Sequence, residues 1–346
     1  MSTSPYALSL AVPVNADLAT GAVRSTRHGL RALVSSPVTL VIVFTIAFIA
    51  LIWDGIHVRT EATRELAFER ARRDNINLAR AFAEHSERIL EGADQALLLI
   101  RQHYEKSPGR IDLAEFARDG MIAGRLFGHV GVLDEHGTHQ AGNLAETRRS
   151  GELARAHLAA HAARDTDAPF VARPVPADGA GRWSLQLSRR INKRDGSFGG
   201  VVVISVDPAR FSRVYGELDL GYDGMAGLVG NDGIVRARHA GGDLVMGQDI
   251  SGSLLAEHLR VGDSGSFRAL MAPDAPPRLV SYNKLSAYPL AVAVGQSERA
   301  ILAPWEPVER NTLICGLLAT IGLLVFATIV ARLLRALPLR GTPPWG

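Results

Sequence analysis

One cysteine, Cys315, is the whole thiol complement of this 346-residue chain. It lies inside an apolar run, so no disulfide framework is available to the rest of the molecule. A phosphate loop of the GxxxxGK[ST] form is missing, as is HExxH, and the serines and histidines show no base-and-orienter spacing. No enzymatic activity, catalytic residue, cofactor or metal site is therefore expected. The formal excess of positive charge is only +3. Six of the arginines that make it sit beside two uncharged segments, so nucleic acid is not an expected partner.

Those uncharged segments are Ala32 to Trp53 and Thr312 to Ala331. Each is long enough to cross a hydrocarbon core that needs about 20 apolar residues. Arg24, Arg27 and Arg31 precede the first, and Arg332, Arg335 and Arg340 follow the second. The bias of basic residues toward the cytoplasm then places both termini inside and residues 55–310 outside, with membrane lipid as a partner. A cleaved signal peptide is the alternative for the first segment. The run is longer than a signal-peptide core and ends in Trp53-Asp54, which suits a retained anchor. Residues 1–31 are rich in small and polar types and read as a disordered cytoplasmic terminus.

From Glu61 to Lys106 there is no proline and one glycine, amid dense Ala, Arg, Glu and Leu. This composition predicts one very long helix or two stacked ones, stopped by Pro108-Gly109. An unbroken helix would reach about 70 Å, the length of a stalk. Leu78, Phe82, His85, Ile89, Ala93, Ala96 and Ile100 make one apolar seam, able to pack on a sheet or to form a parallel homodimer. His85 reads as a packed or half-exposed histidine rather than a ligand.

Beyond the stalk, His129–His139 is a strand, turn, strand pattern, and Glu152–Ala163 a short helix. Trp183–Arg190 alternates at period two, Asp195-Gly196 turns the chain, and Gly200–Val206 is a buried strand. The order then recurs. Gly227–Val235 repeats Gly131–His139 at an offset of 96 residues, and Arg278–Leu285 with Pro289–Gly295 repeats the later hairpin. A duplication at this period implies tandem domains rather than a solenoid.

The chain resembles the double-Cache sensors, in which a long helix leads to two PAS-like domains between two membrane spans. The resemblance runs from about residue 59 to 310. It is carried by Asn77-Leu-Ala-Arg-Ala-Phe82, Asp94-Gln-Ala-Leu97, Trp183-Ser-Leu-Gln-Leu-Ser-Arg-Arg190, Asp195-Gly-Ser-Phe-Gly-Gly-Val-Val-Val203, Asp207-Pro208 and Leu279-Val-Ser-Tyr282. It is nearest to the sensor regions of bacterial diguanylate cyclases and histidine kinases, hence a two-pass protein of the bacterial inner membrane with a periplasmic sensor region. The implied fold class is α+β. A membrane span at 32–53 and a stalk at 55–106 precede a membrane-distal PAS-like domain with an antiparallel sheet at 107–215. A second such domain at 216–310, a span at 312–331 and a cytoplasmic tail at 332–346 follow.

The resemblance also implies a distal ligand pocket between the sheet and the helix bearing Arg155-Ala-His157. In relatives an Asp-Arg-Glu-Tyr-Phe run precedes that helix motif; here the positions read Ser150-Gly-Glu-Leu-Ala154. Arg155, His157, Trp183, Gln186, Ser188, Arg189 and Asp207 are the candidate ligand residues. Arginine would clamp a carboxylate and Asp207 would accept from an ammonium, so the expected ligand is an amino acid or a carboxylate. In the plainer reading Trp183 is core, Arg189 and Arg190 are solvated, and Asp207-Pro208 caps a helix. His157 and His161 share one helical face, a metal pair only if further ligands join them.

Fifteen residues follow Ala331, too few for a catalytic domain. Three readings follow: a membrane sensor passing its signal to a separate output protein, the detached or split sensor part of a diguanylate cyclase or histidine kinase, or a binding protein with no signalling role.

Overall fold

The computed structural model describes residues 37–107, 127–142, 150–163, 166–176, 183–211, 220–221, 223–240, 243–270 and 277–336. The chain divides into two compact units, one of Met1–Thr63 with Trp305–Gly346 and one of Arg64–Pro304.

In the first unit the long helices are Pro37–Thr63 of α1 (Pro37–Lys106) and the whole of a second helix, Glu306–Ala336. Both are long and apolar enough to cross a membrane. Leu40, Phe44, Phe48, Leu317, Leu324 and Phe326 are among the large apolar side chains they expose, the outward-facing pattern that lipid contact favours. Trp53 Nε1 donates to Thr320 Oγ1 at 3.1 Å. Three residues on, Ile56 lies where a Cβ on Gly316 would need to be. Rising numbers on one helix meet falling numbers on the other, so the pair is antiparallel, with a glycine permitting the close approach.

The second unit holds two antiparallel sheets on one helical spine. The first contains β1 (Phe127–Asp134), β2 (His139–Gly142), β3 (Phe170–Val171), β4 (Val175–Pro176), β5 (Trp183–Asn192) and β6 (Phe198–Val206), in the order β2-β1-β6-β5-β3, with β4 also on β5. The second contains β7 (Met225–Gly230), β8 (Val235–Ala240), β9 (Asp243–Val245), β10 (Ser264–Ala269), β11 (Arg278–Lys284) and β12 (Leu290–Ser297), in the order β10-β11-β12-β7-β8-β9. Each sheet thus opens with a hairpin, and its last strand returns beside the first. Helix α2 (Ser150–Ala162) belongs to the first module and α3 (Leu254–Val261) to the second. A short α4 (Glu298–Leu302) leads to α5, the Glu306–Ala336 helix.

The repeat is visible atom by atom. In β1–β2 the register slips between Val132 and Leu133, and in β7–β8 between Leu228 and Val229, 96 residues on. The same turn closes both hairpins. Gly137 N donates to the Asp134 carbonyl at 3.0 Å and Gly233 N to the Gly230 carbonyl at 2.9 Å. These two glycines have φ of 87° and 76°, a left-handed conformation that a side chain would strain. Helix α2 spans the segment expected to be helical to within two residues, β5 and β6 stand where the alternating segment and the buried run put them, and β11 and β12 where the repeat of that hairpin does.

Helix α1 is one helix, and it buries what reads from sequence as a stalk. Ala79, Phe82, Ala83, Leu90, Ala93, Leu97 and Ile100 enter a single core with Val132, Leu187 and Ile204 of the first sheet and Leu228, Val292 and Val294 of the second. Two sheets in succession along the helix use the length that one compact domain could not. The apolar seam therefore packs on this chain's own sheets, which leaves any homodimer to form through another face; His85 is half-buried at its edge. The Pro108-Gly109 stop and the expected boundary at residues 215/216 lie outside the described residues.

Polar ties fix the helix to both sheets. Glu87 Oε1 accepts from the amides of Ser286 and Ala287 at 2.6 and 3.0 Å and from the Ser286 hydroxyl at 2.6 Å, holding the β11–β12 turn. Burial pushes the Glu87 carboxyl up, but those hydrogen bonds outweigh it and leave the group below its ordinary range. Glu105 accepts from the Asn192 amide at 3.0 Å.

Candidate functional site

Strand β5 decides the geometry of the first module, because successive side chains leave it on opposite faces. Leu185, Leu187 and Ile191 point into the core shared with α1. Gln186 and Ser188 point the other way, toward α2. The seven expected residues are accordingly divided between two faces.

On the α2 face three of them meet. His157 Nδ1 lies 2.8 Å from Ser188 Oγ, and its Nε2 lies 3.0 Å from Gln186 Oε1. His161, one turn on, brings Nε2 to 3.0 Å from the same hydroxyl and 3.1 Å from the Ser188 carbonyl. Both rings meet the edge of Phe170, with centroids at 5.6 and 6.2 Å. Gln186 Oε1 can only accept, so His157 carries its hydrogen on Nε2 and accepts at Nδ1 from the Ser188 hydroxyl. The His161 Nε2–H completes the chain by donating to Ser188. Each bond of this neutral network then joins one donor to one acceptor. Burial drives the His157 pKa down to about 4, and burial is also the largest influence lowering that of His161, against its bond to the Ser188 carbonyl. The two imidazoles do share a face, but among the described residues no third His, Cys, Asp or Glu joins them.

The other four expected residues lie elsewhere. Arg189, on the α1 face, is held by Asp94 through two bonds of 2.5 and 2.7 Å and also donates to the Asp167 carbonyl. Asp94 first, then burial and the remaining acidic neighbours, set its guanidinium, with the net effect upward. Arg155 is exposed and bonds back to the Gly151 carbonyl at 3.0 Å. Asp207 is exposed and accepts the Ala209 amide at 2.9 Å, the capping role that Asp-Pro suggests. Trp183 is half-buried, with its ring close to Gly247 of the second module. Sequence reasoning missed Phe170 and weighed His161 only as half of a metal pair. Carrying the alternation of Trp183–Arg190 one step further, to ask which residues share a face, separates Gln186 and Ser188 from Trp183 and Arg189.

The second module holds an open cavity of about 560 Å³ on its α3 face, within the usual range for small-molecule sites. Its floor is lowered where Gly227 stands opposite Ala293 in the sheet, and its walls include Val235, Leu255, Phe267 and Val280. Arg238 and Arg278 enter it from β8 and β11. No sequence motif announces this site, since its two arginines are 40 residues apart and converge only through the strand order.

No family model matches the chain, and no curated protein matches it either. Solved structures do. The extracellular domain of a protein assigned as a histidine kinase is 26% identical, with a TM-score of 0.60, and the match covers 69% of this chain and 100% of that domain. The periplasmic sensory domain of the Campylobacter jejuni chemoreceptor Tlp1 is 11% identical with a TM-score of 0.52, over 69% of this chain and 99% of the other, a likeness of fold alone. The fold is that of extracytoplasmic sensory domains.

Proposed function

We propose that this chain is a two-pass sensor of a bacterial inner membrane, with no enzymatic activity of its own, whose unit Arg64–Pro304 lies in the periplasm as two tandem Cache-type modules and binds a small molecule. The observation that carries the reading is helix α1: one helix contains an apolar span-length segment and the buried stripe on which both sheets pack. A ligand that shifts either sheet therefore acts on an element continuous with the membrane segment, and displacements of about 1–2 Å suffice in helices that signal this way. The 26% likeness to the extracellular domain of an assigned histidine kinase favours kinase output, supplied by a partner protein or by further sequence, over cyclase output. Homodimers would carry the signal through surfaces other than the α1 seam.

Topology tests this directly. Reporter fusions at Gly196, an exposed turn, and after Ala336 are expected to report opposite sides of the membrane, with the Gly196 fusion outside. A cytoplasmic signal from Gly196 would remove the sensor reading.

A further inference from the structure

Two arginines share the second module's cavity, and their partners differ from those of the arginine beside them. Arg236, two residues from Arg238 on β8, is paired in bidentate fashion with Asp232 at 3.0 and 3.2 Å. Arg238 has no such partner among the described residues; its Nε, like that of Arg236, is buried without a hydrogen bond. Arg278 donates to the Asp223 carbonyl, a neutral acceptor. No carboxylate side chain lines the cavity among the described residues, while most of the wall is apolar. Burial, then the charge of Arg278, lowers the pKa of Arg238. Two like charges facing one apolar cavity are costly when empty and favourable around an anion.

We infer that this cavity binds a small carboxylate with an apolar body and no ammonium group, its carboxylate between Arg238 and Arg278 and its body against Val235, Leu255, Phe267 and Val280. An amino acid would bring an ammonium that no acidic side chain among the described lining residues accepts, and a bare phosphate would leave the apolar wall unused. This rests on the sensor reading and names the ligand class of one of its modules. Gly227 belongs to the device, because a Cβ there would sit 3.0 Å from the Arg238 side chain and on the cavity floor.

The test is thermal unfolding of the full chain in lipid nanodiscs, with benzoate, hexanoate, phenylalanine, leucine and inorganic phosphate as probes. Benzoate or hexanoate, at about a hundredfold excess over Kd, is expected to raise Tm by about 5 °C. Phenylalanine, leucine and phosphate are expected to raise it by clearly less. Arg238→Met should weaken the carboxylate at least about tenfold without lowering the ligand-free Tm, because it removes a partly buried charge that no carboxylate among the described residues pairs with. Arg278→Gln, which keeps a donor for the Asp223 carbonyl, should weaken it too. An equal carboxylate response in Arg238→Met, an equal response to phenylalanine or to phosphate, or no response to either carboxylate would overturn the proposal. The fusion topology is unaffected by any of these results, so failure of this site and failure of the sensor reading remain distinguishable.

Discussion

Asp94→Ala is expected to lower the stability of the unit Arg64–Pro304 by about 3 kcal/mol, because it strands a buried guanidinium. The Arg189 side chain is 9% exposed and that of Asp94 14%, so water cannot replace the lost carboxylate cheaply. The carbonyl of Asp167 would remain, and so would the Asp167 carboxylate at 3.3 Å, but that carboxylate is 71% exposed and a weak substitute. In thermal unfolding of the full chain in nanodiscs the loss should appear as a fall in Tm of about 6–12 °C. Asp94→Leu combined with Arg189→Met should recover most of it, since two packed apolar groups avoid the desolvation that the ion pair must offset. A single mutant as stable as the parent would show the pair to be idle. The pair also joins α1 to β5. The double mutant, stable but unclamped, is expected to retain ligand binding in the second module while losing any signal that originates in the first.

The parts legible in the sequence are those written in local patterns. Two charge-free runs, a proline-free helix and a turn repeated 96 residues apart each need only neighbours to be recognised, and the structure places Gly137 and Gly233 in equivalent turns. The seam on α1 was visible as apolar, but not what covers it, because a stripe of Phe82, Ala93 and Ile100 satisfies a sheet as well as a second helix. Site residues were less legible. His157, Gln186 and Ser188 were identifiable as polar groups on a helix and a strand that face one another. Arg189 reads from sequence as one more polar group near the same sheet face, although one step along a strand from Ser188 reverses the face. The cavity of the second module depends on β8 and β11 lying on opposite sides of the β7–β12 pair, a fact of topology that composition does not carry.

Acid is expected to destabilise the first module through His157. Its folded pKa is about 4, held down by burial, against an unfolded value of about 6.5. Between those values the unfolded chain takes a proton that the folded chain refuses, so stability falls as pH drops from about 6.5 to about 4 and is fully present above that window. The loss is roughly 3 kcal/mol for this group, with His161, also lowered, acting in the same direction. The hydrogen-bond network explains why the folded state refuses the proton. A second hydrogen on His157, at Nδ1, would point at the Ser188 hydroxyl, which already accepts from His161 and would have to turn its own hydrogen away from its partner. His157→Gln keeps an acceptor for Ser188 and a donor for Gln186 without a titrating group. It should therefore flatten the decline of Tm between pH 6.5 and 4, leaving only the part due to His161. If the parent and His157→Gln lose Tm in parallel across that window, the acid sensitivity lies outside this network. The same balance sets a condition on any ligand of the first module: to enter between α2 and β5 it must offer Ser188 an acceptor and Gln186 a donor as good as those of the imidazole they now hold.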